Sequence, residues 1–119
     1  MSGMKSDSDL VPSVRHEGDA VIATVKGDID LHNSPQLRTR LLKFLEEQKP
    51  KKLILNLGGV TYMDSSAIAV LVEALQKLRK TGGKIYLTDL QPRVKGLLEI
   101  ARLDSIFVIC ADENDALNK

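Results

Sequence analysis

Three small polar residues stand between two apolar runs: Asp64, Ser65 and Ser66 in VTYMDSSAIAVLVEAL, residues 60–75. A carboxylate beside two hydroxyls suits three kinds of chemistry. The first is helix capping, since four N–H groups at a helix start lack internal partners and Asp or Ser oxygens accept from them. The second is modification, because a phosphate added at a helix start meets the positive end of the dipole. The third is nucleophilic attack, but Met63-Asp64-Ser65-Ser66-Ala67 lacks the GxSxG elbow of a hydrolase serine. A cap needs only one of the three residues.

Other chemistry finds little support. No GxxxxGK[ST] loop is present for a nucleotide, and Gly58-Gly59 and Gly82-Gly83 read as turn glycines. His16 and His32 are the only histidines and Cys110 the only cysteine, without HExxH or CxxC spacing, so neither a metal nor a cofactor is expected. A phosphoaspartate at Asp64 would want an early acidic pair for magnesium, and none is seen. The reading is therefore not an enzyme. One cysteine cannot form an intramolecular disulfide, which suits a reducing, cytoplasmic setting. Lys and Arg number 17 against 16 acids, for a net charge of +1, which argues against direct nucleic-acid binding. Aromatics are only 3%, too few for base-stacking platforms. No apolar run of about 18 residues is available for membrane insertion. The polar start MSGMKSDSD lacks the apolar stretch of a secretory signal and is expected to be a disordered tail over residues 1–9. At 119 residues with 43% hydrophobic content, residues 10–119 are expected to form one domain.

The elements that must hold Asp64-Ser65-Ser66 follow from periodicity. Residues 11–16 and 20–25 read as a hairpin around Glu17-Gly18-Asp19, with Pro12 marking an edge strand. Ser34 is placed as a cap and Pro35 at the first position of a helix that Pro50 stops, with Leu37, Leu41, Leu42, Phe44 and Leu45 as its apolar face. Leu53 to Leu57 is a continuous apolar run, as in strands covered on both faces. A helix is predicted over 65–80, its cationic end followed by Gly82-Gly83. A strand over 84–88, a helix from Gln91-Pro92 to about Ala101, a strand over 105–110 and a helical turn over 112–117 complete the chain. Alternating strands and helices predict an α/β fold: a small mixed, mostly parallel sheet of about five strands flanked by about four helices. The Asp64 loop then follows a parallel strand, where such folds place their sites.

GDIDLHNSPQLR (27–38), LILNLGGVTYMDSSAIAVLV (53–72) and LQPRVKGLLEIARL (90–103) together resemble the STAS-domain anti-sigma factor antagonists of bacteria. The resemblance covers nearly the whole chain from about residue 10. It implies a non-catalytic regulator that binds an anti-sigma factor with serine kinase activity and so frees a sigma factor for transcription. The kinase would phosphorylate Ser65 and end binding; a separate serine phosphatase would restore it. The resemblance also places Asp30, His32 and Asn33 beside the phosphorylated loop on the partner surface, with Asp64, Ser65 and Ser66. The alternative is a STAS scaffold subunit of a stress-sensing or transport complex. The oligomeric state stays open.

Bland readings stand beside these. Ser65 is either the phosphoacceptor or a cap. Ser66 is a cap or loop hydrogen bond before it is a second phosphosite. Asp64 either positions the Ser65 hydroxyl or caps the helix. Asp30, His32 and Asn33 can equally form an ordinary Asx-type turn. Ala67 stands where the family usually has glycine, and is expected to add a methyl to the partner surface. A phosphate on Ser65 would gain roughly 0.3–1 kcal/mol from the helix dipole. Repulsion from a carboxylate about 5 Å away is roughly 3 kcal/mol at an effective dielectric of 20. The free domain is expected to relieve it by turning Asp64 outward.

Overall fold

The computed structural model describes residues 10–119, so the tail expected over residues 1–9 lies outside the described residues. Five strands form one sheet in the order β1-β2-β3-β4-β5: β1 Ser13–Glu17, β2 Ala20–Lys26, β3 Lys52–Gly59, β4 Lys84–Thr88 and β5 Val108–Cys110. The β1–β2 pair is antiparallel and the other three pairs are parallel. The hairpin turns on Gly18 (φ +60°), at the position where two-residue loops need positive φ. Helices α1 Ser34–Gln48, α2 Ser65–Lys80 and α3 Pro92–Ile100 connect successive parallel strands, and α4 Glu113–Leu117 follows β5. This is the mixed α/β arrangement expected from the sequence.

Strand alternation sends side chains to two unequal cores. On one face Ala23, Val25, Leu53, Leu55, Leu57, Ile85 and Leu87 pack under the apolar stripes of α1, α2 and α3. On the other, Ala20, Ile22, Ile54, Tyr86 and Cys110 meet only Ala116 and Leu117 of α4. Both faces of β3 are therefore covered, as its continuous apolar run requires. Burial pushes the Cys110 thiol above its ordinary pKa, so it behaves as a packed apolar group. Lys52, the first residue of β3, is half-buried beside α4. Its ammonium donates to the carbonyls of Ala116 and Leu117 (3.0 and 3.2 Å) and lies over the Tyr86 ring, pinning α4. At the far end of α2, Gly82 takes φ +79°. Gly83 packs so closely that a Cβ there would sit 2.7 Å from the Pro50 carbonyl oxygen.

Several boundaries differ from expectation. β1 starts at Ser13; Val11 turns into the core ahead of Pro12, which has no amide to give a ladder. Gly58-Gly59 are the last residues of β3, not a turn, and Gly59 pairs with Lys26 after a one-residue register shift beyond Thr24 and Asn56. The segment expected as strand from Ser105 begins as a 3₁₀ turn, Leu103–Ser105, entered through Arg102 at φ +60°. Extended pairing starts only at Val108.

Candidate functional site

Two loops leave the C-terminal ends of the neighbouring strands β2 and β3, and they join rather than diverge. The Ile29 amide donates to Tyr62 O (2.9 Å) and the Asp64 amide to Ile29 O (3.1 Å), which makes a parallel bridge between Ile29 and Met63. Both bridge residues are buried. Thr61 Oγ1 donates to Asp28 Oδ1 at 2.6 Å, closing the same seam. The segments 28–33 and 60–66 therefore form one surface at the end of the sheet.

Asp64 is the node of that surface. It is the N-cap of α2, in the extended conformation that caps adopt. Its Oδ1 accepts from the amides of Ser66 (2.9 Å) and Ala67 (3.4 Å) and from the Ser66 hydroxyl (2.5 Å). Its Oδ2 reaches across the seam to accept the Leu31 amide at 3.1 Å. The Ser66 hydroxyl above all, with the amides of Ser66, Ala67 and Leu31, holds this carboxyl below its usual pKa, while partial desolvation opposes the shift.

The facing loop is built by Asp30 and Asn33. Asp30 Oδ1 accepts the amides of His32 and Asn33, and Asn33 Oδ1 accepts the amide of Asp30 in return. Reciprocal bonds of this kind are the capping-box device, here set one turn ahead of α1. Asn33 also donates through Nδ2 to Asp28 O at 2.8 Å. Asn33 is the residue preceding α1, and Ser34 is its buried first residue instead of its cap. The Asx-type turn is thus present, and it lies directly against the Asp64 loop. All six residues singled out in the sequence, Asp30, His32, Asn33, Asp64, Ser65 and Ser66, fall on this one surface; His32 is exposed and contributes its amide to the turn.

Among Asp64, Ser65 and Ser66 the roles divide. Asp64 is the cap. Ser66 returns its hydroxyl to Asp64. Ser65, the first residue of α2, is exposed, and its hydroxyl has no hydrogen-bond partner among the described residues. Asp64 is not free to turn outward, contrary to expectation, without giving up its bonds to Ser66, Ala67 and Leu31. Ala67 is 0% exposed, so its methyl lies in the core and not on the partner surface. One residue of this surface escaped the sequence reading: Leu31, 75% exposed, with Tyr62 at 40% on the facing segment. Its signal was a leucine set among turn formers, off the apolar stripe of α1.

Elsewhere, an open groove of about 560 Å³ beside α4 is lined partly by Arg15, Asn56 and Glu113. Those three already satisfy one another, since both Arg15 and Asn56 donate to Glu113. The Asn56 bond first, with Arg15 next to it, holds the Glu113 carboxyl below its ordinary range. No helix among the described residues is long and apolar enough to cross a membrane.

Comparison with known proteins agrees over most of the chain. The model of the STAS domain family matches residues 11–116. An anti-sigma-B factor antagonist of Bacillus subtilis (strain 168) is 30% identical over 98 residues, 82% of this chain and 88% of that protein. An anti-sigma F factor antagonist of Paenibacillus polymyxa is 26% identical over 111 residues, 93% and 95% of the two chains. The crystal structure of an anti-sigma factor antagonist from Mycobacterium paratuberculosis superposes with a TM-score of 0.80 at 23% identity, covering 89% of each chain.

Proposed function

The chain belongs to the STAS domain family, and on that premise we propose that it is a cytoplasmic anti-sigma factor antagonist switched at Ser65. Its partner is an anti-sigma factor with serine kinase activity. Binding that factor releases a sigma factor for transcription, with no direct contact between this chain and nucleic acid. The kinase supplies ATP and magnesium; this chain supplies a hydroxyl and a docking surface and catalyses nothing. A serine phosphatase resets it.

The observation that carries this reading is the free hydroxyl of Ser65 beside a cap that needs nothing from it. Relatives named anti-sigma factor antagonists, matched over most of their length, support the partner class. A phosphate there adds about −1.5 to −2 charges next to a carboxylate that its own hydrogen bonds hold in place. In the free chain, water screens the pair and the helix dipole offsets part of the repulsion. A docked partner removes the water. An interface penalty of about 2–3 kcal/mol weakens binding roughly 30–150-fold, while the domain keeps its fold.

The test uses Ser65→Ala and Ser65→Asp chains as baits in lysate of the source organism, with bound proteins identified by mass spectrometry. A serine-kinase anti-sigma factor is expected on the Ala chain and absent from the Asp chain. The purified kinase is expected to place phosphate on Ser65 of the unaltered chain. Equal recovery of transporter or scaffold subunits on both baits overturns the antagonist reading.

A further inference from the structure

Leu31 is a large aliphatic side chain held out into water on a loop whose backbone is tied by several hydrogen bonds. Its own amide is bonded to Asp64 Oδ2. The residues on either side are tied by the Asp30–Asn33 box, and Asn33 is tied in turn to Asp28 O. The Ile29–Met63 bridge fixes the loop to the segment that carries Tyr62 and leads to Ser65. Single exposed hydrophobic residues are common and need no explanation by themselves. Ile100 is one: at 83% it is more exposed still, but it is the last residue of α3, at the other end of the sheet. What separates Leu31 is a backbone hydrogen-bonded at Leu31 itself and on both sides of it, one hydrogen bond from the cap of the helix that opens with Ser65. Binding loses less entropy when an anchor is already ordered.

Resting on the function proposed above, we propose that Leu31 is the apolar anchor by which this chain docks, seating in an apolar pocket of the anti-sigma factor. Asp64 acts as its positioning residue. One carboxylate thus serves both the helix that presents the hydroxyl and the loop that presents the anchor.

The experiment uses the full chain and the purified anti-sigma kinase retained by the Ser65→Ala bait. Dissociation constants and the kinetics of Ser65 phosphorylation are measured for the unaltered chain and for Leu31→Ala, Leu31→Met and Ile100→Ala, after melting curves show each is folded. Leu31→Ala is expected to raise both Kd and KM by about 30-fold with kcat unchanged, the loss typical of a central apolar anchor. Leu31→Met is expected to recover affinity to within a few-fold, and Ile100→Ala to have no effect. Equal affinities for the unaltered and Leu31→Ala chains overturn the anchor while leaving the Ser65 switch standing. Binding without phosphorylation at Ser65 removes the switch, and the anchor is then judged on Kd alone. Failure of the unaltered chain to bind any anti-sigma factor overturns both.

Discussion

Helices α1 and α2 both open with a serine, at the same end of the sheet and in adjoining loops, yet the two serines have different fates. Ser34 is 5% exposed, folded under the Asp30–Asn33 turn and followed by Pro35. Ser65 stands in water because the residue before it has taken over the capping. A serine at a helix start is thus not in itself a site. What frees a hydroxyl for a partner is a neighbour that already satisfies the local amides. In α2 that neighbour is a carboxylate with four donors. In α1 the equivalent bonds are made one turn earlier, so the serine sinks into the core.

The largest expected difference is in phosphate transfer. Ser65→Ala should abolish incorporation by the kinase, whereas Ser34→Ala should leave it intact; radiolabelled phosphate and peptide mass spectrometry read both. Label retained in Ser65→Ala and lost in Ser34→Ala would reverse the assignment. Next comes binding: a chain with phosphoserine at 65 should bind the anti-sigma factor roughly 30–150-fold more weakly with its melting temperature moved by a few degrees at most. Calorimetry on one sample reads both quantities, and a collapse of the melting transition would show refolding in place of an interface effect.

Smaller effects separate the two jobs of Asp64. Asp64→Ala should cost about 1–2 kcal/mol, the usual range for a lost cap. Asp64→Asn should cost less, because asparagine also caps, though an amide nitrogen turned toward Leu31 cannot accept its N–H. Urea unfolding measures the pair, and an Asp64→Asn chain as stable as the unaltered one would mean that the Leu31 bond adds nothing. The smallest effect is acid dependence. The Asp64 carboxyl is held below its ordinary pKa when folded, so its stabilisation is complete above the unfolded aspartate value of about 3.9 and disappears as pH falls through the lower folded value. Glu73, lowered chiefly by its hydrogen bond from Arg38, and Glu113 lose stabilisation on the same side of neutrality. Asp64→Asn should therefore flatten the loss of stability below about pH 4 only in part, and a slope identical to the unaltered chain would discount the Asp64 network.

Much of this frame was legible before any coordinates. The apolar run of β3 and the cationic exit of α2 through Gly82-Gly83 left little choice of element, and Pro12 pointed to the edge position of β1. The capping was harder, since Asp30, Asn33, Ser34, Asp64, Ser65 and Ser66 are all competent by type. Which of them caps is decided by the Ile29–Met63 bridge, a contact between loops more than thirty positions apart in the chain. Ala67 was misjudged for the same reason: its side-chain direction depends on where α2 meets the sheet. Leu31 was passed over because periodicity detects apolar residues that face inward, and has nothing to say of one held outward.

The bridge between the two loops also governs how such a surface can change over generations. With Ile29 and Met63 locked in register, inserting or deleting one residue in either loop would slide Leu31 past Ser65 and unseat the carboxylate between them. Side-chain replacement carries no such penalty. Divergence toward a new partner is therefore open to substitution at a few outward positions and closed to loop length.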